Sequence, residues 1–286
     1  MKLLYYREKN FGDQLNPWLW DKLIPGVIDD NQTTTFVGIG TLINDRLPLK
    51  TKNSRLRAIF GTGVGYGNGI PQLNDTYKIY CLRGPLSAQA LGVSDKLAVT
   101  DGAVLIRNLF DNYSHKKVYK FSYMPHFELA GTSWSLVCKS LGFGYIDPRW
   151  SIEKVLSSIN ETEVLLAEAM HGAIIADALR VPWVPIITNP TILQFKWQDW
   201  CQSVGVNYQP SHIKRLHHPN QKRDILSPIR LVRDWVRQQE SKSQLMHIAK
   251  NAQPTLSSDT SIENLTQEMN ARLDAFKQDF AQGMYL

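Results

Sequence analysis

Residues 162–188 read TEVLLAEAMHGAIIADALRVPWVPIIT, and this stretch decides the fold class. It predicts a buried strand, a turn that carries Glu168 and His171, a helix over about 172–179 and a second strand over 183–187. The apolar runs are short and continuous, which is typical of parallel strands covered on both faces. In such units ligands bind beyond the carboxyl ends of the strands, where helix N-termini point. Glu168 and His171 are therefore the first candidates for chemistry. Alternatively, His171 could only cap the helix or hydrogen-bond locally, and Glu168 could only complement the helix dipole.

The composition favours a globular protein of one large domain or two of ordinary size, with 286 residues of which 43% are hydrophobic. The opening MKLLYYREKNFGD has an apolar run of only four residues, which predicts no signal peptide. No stretch approaches the roughly 18 apolar residues of a membrane span. Cys81, Cys138 and Cys201 form neither a C-x-x-C pair nor an even framework. Reduced thiols in the cytoplasm and no bound metal are expected.

Strand and helix patterns alternate along the chain, which predicts an α/β protein. The first half has predicted strands at about 2–6, 35–39, 57–60, 78–82 and 96–100. Asn10 to Asp13 is predicted to be a turn, and Pro17 to lie in the first turn of a short helix. The pattern restarts after a predicted linker at 111–117.

The sequence therefore predicts two Rossmann-like, doubly wound domains that face each other across a cleft, followed by a helical tail. The predicted domains are 1–115 and 116–250, with the tail at 251–286. In the tail, apolar residues from Ile262 to Phe280 follow three- and four-residue spacing, which predicts one apolar helical stripe. Packing of this stripe on the rest of the chain is favoured over pairing in a homo-oligomer.

Basic residues concentrate between Ser211 and Lys250, where nine Lys and Arg face three acidic residues, a balance of +6 that equals the net charge of the whole chain. Such a patch could contact nucleic acid, an anionic membrane or a phosphorylated substrate, or it could be a solvated helix face.

Four further residues are candidates for a site. Arg83 follows a strand and precedes a helix that begins with proline, where its fork of donors would suit a carboxylate or phosphate. Gly63 lies in GTGVGYG, which lacks the spacing of a nucleotide-binding loop but would allow close approach of a ligand to the backbone. His126 ends a strand of the second half. Lys196, among aromatic residues, could contact a phosphate or a sugar.

Five motifs together resemble the polysaccharide pyruvyl transferase family. They are N-F-G-D at 10–13, R-G-P-L-S at 83–87, D-G-A-V-L-I at 101–106, M-P-H at 124–126 and A-E-A-M-H-G-A-I-I-A-D-A-L at 167–179. The opening FGDQLNPWLW and the KWQDW stretch look closest to the succinoglycan-type exopolysaccharide ketalase branch. The similarity spans about residues 3 to 205.

The resemblance implies a two-domain scaffold of the GT-B type and an enzyme of bacterial exopolysaccharide biosynthesis. Members transfer the carboxyethylidene group of phosphoenolpyruvate, as co-substrate and without another cofactor, onto two hydroxyls of one sugar. Acceptors are commonly lipid-linked oligosaccharides at the inner membrane face, so the protein is expected to be cytoplasmic with peripheral contact to an anionic membrane.

The resemblance also assigns roles to individual residues. His171 takes the position of the general acid, with Glu168 as its orienting partner or as a base, and Arg83 that of an anion-binding residue. Asn10 and Asp13 are candidates for holding the acceptor hydroxyls. Many relatives carry an arginine at the position of Ala169, so Arg83, Lys196 or another basic residue would have to replace it.

Two other functions compete with this interpretation. A glycosyltransferase that uses a sugar nucleotide could have the same scaffold, because fold does not decide function. A nucleic-acid-binding protein is disfavoured, since the basic segment lacks interleaved aromatic residues for base stacking.

Overall fold

The computed structural model describes residues 1–110, 116–188, 192–216 and 228–285, which fall into two compact units. Unit 1 comprises residues 1–111, 193–208 and 257–286, and unit 2 comprises residues 112–192 and 209–256.

Both units alternate strands and helices. The strands are β1 (Lys2–Leu4), β2 (Thr34–Val37), β3 (Leu56–Thr62), β4 (Tyr77–Leu82), β5 (Tyr119–Met124), β6 (Gly144–Tyr145), β7 (Thr162–Ala167), β8 (Trp183–Ile187) and β9 (Ser211–His212). The helices are α1 (Phe11–Leu23), α2 (Leu47–Lys50), α3 (Pro85–Leu91), α4 (Thr132–Leu141), α5 (Ile152–Asn160), α6 (Met170–Ala178), α7 (Gln194–Ser203), α8 (Pro228–Asn251) and α9 (Asp259–Ala281). In the described ranges, no helix has the length and apolar character needed to cross a membrane.

The parallel sheet of unit 1 has the strand order β1-β2-β3-β4. One face carries Phe36, Phe60 and Tyr80, and Trp20 of α1 and Phe276 of α9 pack edge-on against it. The opposite face forms a second apolar cluster, in which residues of α2, α3 and α7 pack on strand residues. Helical segments thus cover both faces, as the continuous apolar runs predicted.

The fifth strand predicted for unit 1, at 96–100, is wrong. Residues Asp95–Leu97 form a 3-10 helix whose N-cap, Ser94, accepts a hydrogen bond from the backbone N–H of Lys96. The segment reaches the sheet only through the isolated bridge between Leu82 and Ala98. Local capping by serine here prevails over the strand preference of the residues that follow.

The turn predicted at Asn10 to Asp13 is also wrong, because α1 already begins at Phe11 and contains Pro17 in its interior. A proline cannot donate to the carbonyl four residues earlier, which belongs to Asp13. The side-chain amide of the buried Asn16 approaches this carbonyl at 3.5 Å and also donates to the Ile39 carbonyl at 3.0 Å. Asn16 thereby compensates for the donor that the proline lacks and attaches α1 to Ile39, two residues beyond the end of β2.

The parallel sheet of unit 2 has the order β6-β5-β7-β8-β9, which is the 2-1-3-4-5 order of a doubly wound sheet. The doubly wound topology predicted for both halves is therefore present in this sheet, whereas the described strands of unit 1 follow one another without a reversal. Residues of α4 and α8 join Tyr123, Leu166 and Val184 in one apolar cluster. On the other face, Gly172 lets α6 approach β5, since a Cβ atom there would lie 2.6 Å from the sulfur of Met124.

The two units are not the contiguous blocks 1–115 and 116–250 of the prediction, nor is 251–286 a separate tail. Residues 193–208 belong to unit 1 because α7 inserts Asp199 into its interior. Residues 257–286 belong to it because α9 packs its apolar stripe on the sheet through Phe276. The stripe therefore packs within the chain, as favoured. Most of the predicted linker, 111–115, lies outside the described residues.

Candidate functional site

The carboxyl edge of the unit 2 sheet contains a topological switch point. The chain leaves β5 toward β6 on one side of the sheet and leaves β7 toward β8 on the other. Met124 at the end of β5 pairs with Ala167 at the end of β7. In open α/β sheets ligands bind in the crevice that such a divergence leaves. The loops beyond these two strand ends carry His126, Glu168 and His171.

Glu168 is buried and holds the ends of three strands together. Its Oε2 accepts hydrogen bonds from the Tyr123 hydroxyl at 3.1 Å and from the backbone N–H of His126 at 3.0 Å. Its Oε1 accepts from the backbone N–H of Thr188 at 2.9 Å and from the Thr188 hydroxyl. Four donors thus surround the carboxylate, which fixes the loops after β5, β7 and β8. This geometry suits a positioning residue, and burial together with this negative charge raises the pKa of Tyr123.

His171 occupies the second position of α6, directly after this turn. The other eight residues of α6 are buried, whereas His171 is half-buried. The helix begins after Ala169, an N-cap residue whose side chain makes no capping hydrogen bond. The first-turn amides of a helix bind anions readily, and here no side chain of the N-cap residue competes for them. The only solvent-accessible side chain of this helix is therefore an imidazole at the switch point.

His126 follows β5 on the other side of the same crevice. Its side chain is 24% exposed, and its Nδ1 lies 3.7 Å from a carboxylate oxygen of Glu128. The imidazole also packs on Phe127, with 4.7 Å between ring centroids. Because the carboxylate of Glu168 holds its backbone N–H, the position of His126 is coupled to the turn that bears His171.

Asn10 and Asp13 lie together at the N-terminus of α1, beyond the carboxyl end of β1 in unit 1. The side-chain amide of Asn10 donates to Oδ2 of Asp13 at 2.8 Å. Burial raises the pKa of Asp13 to about 6, against the opposing effects of the Asn10 hydrogen bond and the charge of Lys196. A carboxyl group with this pKa can exchange a proton near neutral pH.

Lys196 of α7 contacts Tyr66, a residue that the sequence did not single out. Its Nζ lies 2.7 Å from the Tyr66 hydroxyl oxygen and 5.2 Å from the ring centroid. Tyr66 has a φ of 60°, which is costly for a bulky side chain and commonest at functional sites. Its place in the glycine-rich GTGVGYG stretch was the available signal.

Arg83 is fully buried and engaged inside unit 1. Its Nε pairs with Oδ2 of Asp199 at 2.9 Å, its Nη1 donates to Thr41 Oγ1 at 2.7 Å and to the Gly40 carbonyl, and its Nη2 lies 3.4 Å from the Val64 carbonyl. An external anion would have to displace Asp199 to reach this guanidinium. The anion-binding role implied by the resemblance stays a prediction, and the described contacts fit a structural ion pair.

Gly63 makes room for that guanidinium. A Cβ atom at position 63 would lie 2.2 Å from Nη2 of Arg83, so any side chain would collide with the ion pair. The contact explains this glycine without a ligand, and substrate binding by Gly63 stays a prediction.

Asp199 connects α7 to the strand ends, and the sequence analysis missed it. Its Oδ1 accepts from the backbone N–H of Ser87 at 2.9 Å, and its Oδ2 accepts from the Ser87 hydroxyl at 2.5 Å. Since Lys196 lies one turn earlier on α7, this network also fixes the helix that presents the lysine. No pattern in the sequence pairs Asp199 with Arg83, because 116 positions separate them.

Asp101 is a second buried carboxyl group near this pair. Its Oδ1 accepts from the backbone N–H of Ala103, while its Oδ2 has no hydrogen-bond partner among the described residues. Burial raises its pKa to about 7; the Ala103 N–H and the charge of Arg83 lower it, and the charge of Asp199 raises it.

The described part of the chain also contains no group of three or more His, Cys, Asp or Glu arranged to hold a metal ion.

Comparison with known proteins identifies the family. The chain is 41% identical over 219 residues to the succinoglycan biosynthesis protein ExoV of Rhizobium meliloti (strain 1021), and the match covers 74% of this chain and 68% of that protein. No family model matches the chain. No solved structure matches it either. Together with the motifs quoted above, the similarity to ExoV shows that the chain belongs to the succinoglycan-type branch of the polysaccharide pyruvyl transferase family.

Proposed function

We propose that the chain is a pyruvyl transferase of exopolysaccharide biosynthesis. It would transfer the carboxyethylidene group of phosphoenolpyruvate onto two hydroxyls of a sugar, in the polysaccharide or in its lipid-linked precursor. The named relative acts in succinoglycan biosynthesis, which supports this class of acceptor. The GT-B-like arrangement of the domains and a cytoplasmic location remain part of the proposal.

The observation that carries the proposal is the placement of His171. A buried helix presents one accessible residue at a topological switch point, and that residue is an imidazole. Histidine is the side chain best suited to donate a proton near neutral pH. Glu168 would hold the loops after β5, β7 and β8 in place and would not itself react, because four donors already surround its carboxylate.

The donor carries a carboxylate and a phosphate, so its site needs cations and amide groups. In unit 2 the first-turn amides of α6 and the imidazole of His126 would supply them. This would compensate for Ala169, which stands where many relatives carry an arginine. Lys196, whose ammonium group donates to the Tyr66 hydroxyl within unit 1, stays a candidate for contact with a phosphate or a sugar.

The chemistry would proceed in three steps. His171 protonates the methylene carbon of phosphoenolpyruvate, and the central carbon becomes electrophilic. One sugar hydroxyl adds to that carbon, and inorganic phosphate leaves with the electron pair of its C–O bond. The second hydroxyl then closes the ketal. The two hydroxyl protons balance the reaction, since one replaces the proton given to the methyl group and the other leaves with phosphate.

Asn10 and Asp13 would serve the acceptor. The amide of Asn10 can donate to a sugar oxygen, and Asp13, with its pKa raised to about 6 by burial, can accept a hydroxyl proton at neutral pH.

Phosphate release tests the proposal against its rival. The purified chain would be incubated with a lipid-linked oligosaccharide and either phosphoenolpyruvate or a panel of sugar nucleotides. Release of inorganic phosphate only with phosphoenolpyruvate, together with an acid-labile ketal on the sugar, is expected. Consumption of a sugar nucleotide would establish the glycosyltransferase instead.

His171→Gln tests the assigned proton donor. Turnover with phosphoenolpyruvate should fall by roughly 10²–10⁴-fold, the usual contribution of general acid catalysis. His247→Gln is the matched control, because His247 is an exposed residue of α8. Equal turnover in the two variants would remove His171 from this role.

A further inference from the structure

Arg149 lies in the loop that follows β6, at the carboxyl edge of the unit 2 sheet. The loops that follow β5, β6 and β7 comprise residues 125–131, 146–151 and 168–169, and all of these residues are described. Arg149 is the one Lys or Arg among them. An anion bound at the switch point of this sheet therefore has a single guanidinium group in the three loops that border it.

The loop of Arg149 leads into a helix that lies beside α6. Because β5, β6 and β7 are parallel, α5 and α6 both begin at the carboxyl edge of the sheet, and the two helices pack on each other. His171 lies in the first turn of α6, and Arg149 precedes the first residue of α5, Ile152, by three positions. The imidazole and the guanidinium thus belong to two neighbouring helix N-termini, where anions are favoured.

Hydrogen bonds connect the loop of Arg149 to the loop that carries His126. Tyr145 at the end of β6 pairs with Tyr123 of β5. The hydroxyl oxygen of Tyr145 accepts from the backbone N–H of Gly131 at 2.8 Å, and the hydroxyl donates to Oδ2 of Asp147 at 3.2 Å. Gly131 ends the loop after β5, so Tyr145 fixes the two loops relative to each other.

Asp147 holds the guanidinium of Arg149 along one edge. Its Oδ1 accepts from Nε at 2.8 Å and its Oδ2 accepts from Nη2 at 2.6 Å. The other edge of the fork, at Nη1, is not part of these two contacts. The side chain of Arg149 is 36% exposed, whereas that of Arg83 is 0% exposed. An external anion can therefore reach Arg149 without displacing the carboxylate that orients it.

A second cation lies beside this loop. Lys154, in the first turn of α5, has its Nζ 3.8 Å from the ring centroid of Trp150, and Trp150 packs edge-on against Tyr145. The acidic residues of the segment are Asp147, which the fork of Arg149 engages, and Glu153. A phosphate, with about two negative charges near neutral pH, is better matched to two cations than a carboxylate is.

We propose that Arg149 binds the phosphate group of phosphoenolpyruvate in unit 2. Nη1 would donate to a phosphate oxygen, Asp147 would keep the fork in position, and Lys154 would add positive charge. Arg149 would thus supply the guanidinium that the loops bordering the switch point otherwise lack. The inference rests on the proposed function, since it names the residue that holds the donor of that reaction.

Titration calorimetry of the full chain with phosphoenolpyruvate tests this inference. Arg149→Gln should raise the Kd of the wild-type complex roughly 10–100-fold, the usual effect of losing a hydrogen bond to a charged group. Arg149→Lys keeps the charge without the fork, so its Kd should lie between those of the wild type and Arg149→Gln. Inorganic phosphate, titrated by phosphorus NMR, should lose affinity in Arg149→Gln as well.

Lys139→Gln is the matched control. Lys139 is an exposed basic residue in the last turn of α4, which ends at the opposite edge of the sheet, so both affinities should stay unchanged. In turnover, Arg149→Gln should raise the KM for phosphoenolpyruvate and leave the KM for the sugar acceptor unchanged.

Three results would overturn the inference while the proposed function stands. They are unchanged affinity of Arg149→Gln for phosphoenolpyruvate, unchanged affinity of this variant for inorganic phosphate, and an equal loss of affinity in Lys139→Gln. A wild-type chain that does not bind phosphoenolpyruvate would overturn the inference together with the proposed function.

Discussion

The substitution Asp199→Asn tests the network that fixes α7 in unit 1. Asparagine keeps the volume of the side chain and can still accept from the backbone N–H of Ser87. It removes the charge that pairs with Arg83 at 2.9 Å and leaves a fully buried guanidinium without a carboxylate in that contact. Removing one partner of a buried ion pair costs about 3–5 kcal/mol, because the remaining charge has no compensation.

The expected loss is large compared with the whole stability of a domain, about 5–15 kcal/mol. With an m-value of about 3 kcal/mol/M, the urea midpoint should fall by roughly 1–1.7 M. The assay is urea denaturation followed by tryptophan fluorescence, since Trp197 and Trp200 flank position 199 and are buried. Asp21→Asn, at an exposed position of α1, should change the free energy of unfolding by less than about 0.5 kcal/mol.

A loss below about 1 kcal/mol in Asp199→Asn, with an unchanged m-value, would refute the assignment of Arg83 to a structural ion pair. It would restore Arg83 as a residue whose guanidinium is available to an external anion.

Three further predictions concern Asp101, Gly63 and Asp13, which all lie in unit 1. The folded chain holds the Asp101 proton between about pH 4 and 7 whereas the unfolded chain releases it, so the free energy of unfolding should fall by up to about 4 kcal/mol as pH rises through that range. Denaturation of Asp101→Asn across this range should show a flatter profile, and an unchanged slope would contradict the raised pKa. Gly63→Ala should lower the free energy of unfolding by about 2–5 kcal/mol, because the Cβ of the alanine displaces the Arg83 guanidinium. In the control Gly69→Ala the Cβ meets no atom closer than 3.9 Å, so the free energy of unfolding should not fall. Equal denaturation midpoints of the two variants would refute the contact between Gly63 and Arg83. If Asp13 accepts the hydroxyl proton, kcat/KM should rise as pH increases through about 6, and Asp13→Asn should remove this rise; a profile that keeps it would exclude Asp13 as the base.

Local patterns in the sequence predicted much of the fold. The continuous apolar runs identified β7 and β8, and the helix predicted to begin with proline after Arg83 is α3. The region over which α1 forms could not be predicted in the same way. Within α1, the side chain of Asn16 hydrogen-bonds the backbone of Ile39 beyond β2, and this long-range contact cannot be read from local propensity.

The candidate site likewise contains residues that the sequence could identify and partners that it could not. His171, Glu168 and His126 were identifiable because each follows a strand, and parallel strands bring their carboxyl ends together. The partners that define their roles were not identifiable, because Thr188 approaches Glu168 only when unit 2 has folded. Likewise, the sequence suggested Arg83 as an anion-binding residue, and only the fold shows Asp199 beside it.

The most direct test of the central claim is the reaction in D₂O with phosphoenolpyruvate and a lipid-linked oligosaccharide, followed by NMR of the product. If a solvent-exchangeable group such as His171 protonates the methylene carbon, the ketal should carry a CH₂D group, and phosphate should appear in equal amount. His171→Gln should form this product far more slowly. An unlabelled methyl group, or phosphate release without a ketal, would contradict the account.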